Sequence, residues 1–138
     1  MSVRFVLLPV FVLVGLTFAL LLGMATTRTR ALKGGETRFK DIALGEQPAR
    51  ATQIGNCFSN QFELPVLFYA LIALALPLRH ADLFIVLMSW VFVAIRFLHA
   101  GIFVTSNNVQ QRGMAWFAGV LVLFAMWVYF ALRILLLI

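Results

Sequence analysis

Three groups of residues in this chain carry chemistry that an apolar helix does not need. The first is Gln53, Asn56, Asn60 and Glu63, spaced three, four and three apart. On a helix those spacings share one face, so a polar stripe ends in a carboxylate. The second is Arg96 and His99, followed by Phe103, at spacings of three and four. The third is Arg112, where a polar connection meets the next apolar run. Arg50 adds a cation just ahead of the first stripe. An arginine is a permanent cation with a planar fork of donors, suited to carboxylates. Such a set either forms a polar pocket or holds helices together by a buried salt bridge.

The elements that must position these residues follow from composition. The chain has 138 residues, 63% hydrophobic and 12% charged, against roughly a quarter charged in soluble domains. Continuous apolar runs of about 20 residues read as membrane-spanning helices. Their continuity, rather than alternation, argues against a barrel. Four runs are expected, at about 5–25, 53–77, 83–104 and 114–137, which makes residues 1–138 one all-α membrane domain, an antiparallel four-helix bundle. The first run resembles a signal peptide in position, but only Arg4 precedes it while Arg28, Arg30 and Lys33 follow it. That charge order predicts a retained span. Pro65 removes a helical N–H, so a kink is expected two residues past Glu63. Trp116, Trp127 and Arg133 read as interfacial residues, and His80 as plainly solvent-exposed.

The net charge is +6, and six of the eleven basic residues cluster in the connection 26–52, which points to topology and lipid headgroups rather than to nucleic acid. That connection is either a solvated loop or a lid over the site. Connections 26–52 and 105–113 hold Arg28, Arg30, Lys33, Arg38, Lys40, Arg50 and Arg112, and the opposite side has Arg4 and Arg79 with Arg133 nearby. The excess of cations places both connections in the cytoplasm. At 1.5 Å per residue, Glu63 lies roughly 15 Å and Arg96 roughly 12 Å from that face. Glu63 is therefore expected to meet Arg96, and Asn60 to meet His99. No metal site is expected: His80 and His99 are not spaced as a pair, and Cys57 is the single cysteine.

The run NQFELPVLFYAL, with Asn60-x-x-Glu63 and then Pro65, resembles the second helix of the MAPEG family, the membrane-associated proteins of eicosanoid and glutathione metabolism. The likeness to small bacterial members extends through Arg96-x-x-His99, Arg112 and MAWFAGVLVLFAMWVYFALR. It implies a homotrimer in a bacterial inner membrane. It also implies glutathione held as a co-substrate between subunits near the cytoplasmic face, and a lipophilic small molecule arriving from the lipid. Carried over residue by residue, it makes Arg50, Asn60, Glu63, Arg96 and His99 binding residues and Arg112 the catalytic, thiol-polarising one. Three positions depart from the family pattern: Asn56 replaces an arginine, Phe103 a tyrosine, and Gly113 a serine. The expected function is a glutathione-dependent transferase or peroxidase acting on a lipophilic electrophile. A non-catalytic trimer binding a lipid or amphiphile is the alternative, and a small proton-coupled exporter using Glu63 is a third reading.

Overall fold

The computed structural model describes residues 2–45 and 48–137, so residues 46 and 47 of the first connection lie outside it. The described residues form six helices: α1 (Val3–Lys33), α2 (Phe39–Ala43), α3 (Ala49–Asn60), α4 (Leu64–Ala75), α5 (Leu83–Val104) and α6 (Val109–Leu135). Four stretches are long and apolar enough to cross a membrane: α1, α3 with α4, α5, and α6. They run antiparallel, and large apolar side chains such as Leu22 (69% exposed) and Phe124 (66%) face outward. A protein that dissolves in lipid has no reason to hide them.

The first helix is longer than its apolar run. Thr26 and Thr27 would compete with the backbone in water, yet here their hydroxyls donate to the carbonyls of Leu22 and of Gly23 and Met24, and Ala31 is buried. Arg30 and Lys33 in the last turn complement the negative end of the helix dipole. Gly35, at φ +72°, closes the helix. The Glu36 N–H donates to the Ala31 carbonyl at 2.9 Å and that of Gly35 to Leu32 at 3.3 Å, a Schellman ending. The first connection therefore shrinks to residues 34–48 and contains the short α2.

The second span is not one kinked helix but two. The N–H groups of Gln61, Phe62 and Glu63 reach back only three residues, to Phe58, Ser59 and Asn60 at 3.0, 3.0 and 3.2 Å. Pro65 follows in the first turn of α4, where its missing N–H costs nothing. The break changes neighbours. α3 packs on α1 and α5, whereas α4 packs chiefly on α6. Two wedges open as a result, one between α3 and α6 and one between α1 and α4.

The core holds the rest in place. Leu13, Phe68, Leu71, Phe92 and Met126 are fully enclosed, and the rings of Phe68 and Phe92 stack at 5.1 Å. Gly119 faces α5, where an added Cβ would make ordinary contact, at 3.6 Å, with Phe92 and Ile95. At the end bearing the 77–82 turn, Asp82 caps α5 by accepting from the Ile85 N–H at 3.2 Å. It also accepts from Tyr129 and pairs with Arg133. Arg133 is thus an ion-pair partner as well as an interfacial residue. His80, expected in solvent, is half-buried with its ring edge against Phe130 at 6.4 Å, because the turn folds back onto α6.

Candidate binding groove at the helix break

The wedge between α3 and α6 is a groove of about 520 Å³, within the range of small-molecule sites. Asn56, Ser59, Asn60 and Glu63 line one wall, His99 and Phe103 the floor, and Val109, Arg112, Gly113 and Trp116 the other wall. Four of the six expected site residues thus surround one space, Asn60, Glu63, His99 and Arg112, with Asn56 and Phe103 beside them.

Arg112 stands in the first turns of α6, since that helix begins at Val109 and not at Met114. Asn108 caps it, accepting from the Gln111 N–H at 3.1 Å. A cation there opposes the helix dipole, so helix stability does not account for it. Its guanidinium lies 4.2 Å from the centre of the Phe103 ring and donates to Asn107 Oδ1 at 2.7 Å. Phe103 brings no hydroxyl, but it fixes the cation by a face contact. Arg112 and the first amides of α6 together form an anion-attracting corner.

Arg96 lies behind the groove and is fully enclosed. Its Nη2 donates to Asn60 Oδ1 and, at 3.3 Å, to the Asn60 carbonyl. Its Nε and Nη1 have no partner among the described residues. Arginine can only donate, so Asn60 turns its amide oxygen to Arg96 and its NH₂ away from it. Among the described residues no ion pair joins Glu63 to Arg96. The expected pairs are therefore corrected: Arg96 meets Asn60, and Glu63 faces the groove. The expectation rested on matching depths along regular helices; the turn at 61–63 interrupts the helix and leaves Glu63 exposed in the groove. His99 is buried at 2% exposure with its ring edge against Phe103 at 5.6 Å.

Arg50 is not part of the groove lining. It donates to the Val104 carbonyl, and Gln53 Nε2 donates to that of Phe103 at 2.6 Å. Both pin the last, otherwise unsatisfied carbonyls of α5. Ser59 and Trp116 line the groove although nothing singled them out for it. Ser59 lies three residues from Asn56 and four from Glu63, and Trp116 lies one turn beyond Arg112, so helical spacing could have found both. A separate apolar pocket of about 400 Å³ lies between α4 and α6, lined by Leu64, Leu67, Val120, Leu123, Phe124 and Trp127.

A sequence profile of the MAPEG family matches residues 6–132, nearly the whole chain. The chain is a MAPEG protein. No curated protein and no solved structure gives a significant match. The four apolar spans and the family make this MAPEG protein an integral membrane protein.

Proposed function

We propose that this MAPEG protein binds glutathione in the groove as its thiolate and passes the sulfur to a lipophilic electrophile lying in the apolar pocket between α4 and α6. One observation carries the reading: Glu63, in the break between α3 and α4, and Arg112 on α6 line the same groove, and among the described residues no ion pair joins them. A groove that keeps both charges suits a ligand that is itself a zwitterion.

Glutathione has an ammonium, two carboxylates and a thiol. Glu63 takes the ammonium. The Asn60 NH₂ takes a carboxylate or a peptide carbonyl. Arg112 and the α6 amides take an anion, and sulfur next to them ionises more readily. The remaining carboxylate needs a cation that one chain does not place in the groove. In a homotrimer, the exposed Arg30 and Lys33 at the end of a neighbouring α1 supply it, at the cytoplasmic face. The thiolate attacks an electrophilic carbon, an S–C bond forms, and the electron pair leaves with the departing group. A peroxide in the same pocket would be reduced by the same sulfur, which takes up one oxygen as a sulfenic acid while an alcohol leaves; a second glutathione then gives the disulfide and water.

The second reading is a non-catalytic membrane protein holding a lipid or amphiphile. Phe103 and Gly113, which offer sulfur no hydroxyl, favour it. Arg112→Ala separates the two. It should abolish turnover of a lipophilic halonitrobenzene with glutathione while the oligomer persists. Turnover at the wild-type rate in that variant would remove Arg112 from the mechanism.

A further inference from the structure

The hydroxyls of Thr17, Thr26, Thr27 and Ser89 each donate to the carbonyl four residues earlier, at 3.2, 2.7, 3.0 and 2.6 Å. That is a common fate of a hydroxyl inside a helix. Ser59 differs. It stands exposed in the last turn of α3, on the wall of the groove, and its hydroxyl has no hydrogen-bond partner among the described residues. The Phe62 N–H donates to the Ser59 carbonyl at 3.0 Å, so the chain turns directly after it. Ser59 is also the one hydroxyl among the described residues that line the groove. On the facing wall, a Cβ at Gly113 would meet nothing within 4 Å, so space lies open beside Arg112. Arg112 spends one N–H on Asn107.

We propose that Ser59 is a catalytic residue of the glutathione reaction, its O–H donating a hydrogen bond to the thiolate across the groove from Arg112. The inference rests on the glutathione reading above and supplies the hydroxyl that Phe103 and Gly113 lack. The amides of Asn56 and Asn60 suit the peptide and carboxylate oxygens, which leaves the hydroxyl for sulfur. A serine hydroxyl keeps its proton and donates without transferring it. A hydrogen bond to an ionised acceptor is stronger than one to a neutral acceptor, so the contact favours the thiolate over the thiol. The thiol proton leaves to water through the open groove.

The test is Ser59→Ala in the full-length protein, read by the absorbance of the bound thiolate against pH and by turnover of a lipophilic halonitrobenzene. The bound thiol should ionise about one pH unit higher and kcat should fall about tenfold, the weight of one hydrogen bond to a charged group. Glutathione affinity at a pH that keeps the thiol protonated should stay unchanged. Ser59→Thr retains the hydroxyl and should restore both. Ser59→Ala combined with Gly113→Ser, which returns a hydroxyl from the facing wall, should recover part of both, as a merely structural serine would not. A Ser59→Ala variant with the wild-type ionisation midpoint would overturn the proposal, whether or not its affinity falls. Absence of glutathione binding by the wild-type protein is a separate outcome, which would remove the glutathione reading and this inference together.

Discussion

Arg96 is the residue whose surroundings explain most about its neighbours. It is enclosed between helices, and among the described residues its hydrogen bonds go only to Asn60. Removing that acceptor leaves a buried cation with less to hold it. Asn60→Leu should therefore cost about 2–3 kcal/mol, and adding Arg96→Met should recover most of the loss, since an apolar pair of similar volume carries no desolvation cost. Thermal unfolding in detergent measures both, and a double variant less stable than Asn60→Leu would contradict the account. Gly113 gives the opposite kind of test. A Cβ there meets nothing within 4 Å, so Gly113→Ser fits and places a hydroxyl beside Arg112. Glutathione turnover should rise several-fold if sulfur sits there, and an unchanged rate would place the sulfur elsewhere. Spacing grouped Asn60 with Glu63 and Arg96 with His99, and matching depth joined the two pairs. Neither revealed which of them touch, because contact depends on side-chain direction past a break that no periodic pattern encodes.

At the scale of elements, the sequence shows where helices are apolar, and the structure shows where they end. Thr26 to Lys33 reads as a connection by hydropathy, yet helical threonines that bond back to the preceding turn carry the helix through it. Pro65 announced a disturbance, but not that residues 61–63 would separate α3 from α4 and move the second span from α1 to α6. That exchange of neighbours makes both the groove and the wedge between α1 and α4. The opposite end of the bundle is tied differently, by Asp82. Burial works against its charge, but hydrogen bonds from Tyr129 and the Ile85 amide, together with Arg133, hold its carboxyl below the ordinary carboxylate range. A carboxyl that ionises more readily when folded stabilises the fold above its unfolded pKa, about 4. That contribution disappears as pH falls through the lower, folded value. The unfolding temperature should hold near neutral pH and decline in acid, and Asp82→Asn should flatten part of the decline. An acid profile identical in that variant would mean that other carboxylates govern it.

For the molecule as a whole, four apolar spans were legible because hydropathy is a property of long runs. Assembly is not legible in that way, since the outward apolar surface suits lipid and a neighbouring copy equally. A partner chain enters only with the proposed ligand: among the described residues a single arginine lines the groove, and the glutathione proposed to bind there would bring two carboxylates. The central claim is that the groove holds glutathione and ionises its sulfur. Equilibrium binding to the purified protein in detergent, followed by ultraviolet difference absorption of the thiolate, tests it most directly. The account predicts saturable binding with a thiolate signal that Arg112→Ala removes. No binding at millimolar glutathione by the well-folded protein would contradict it and leave the lipid-binding reading in its place.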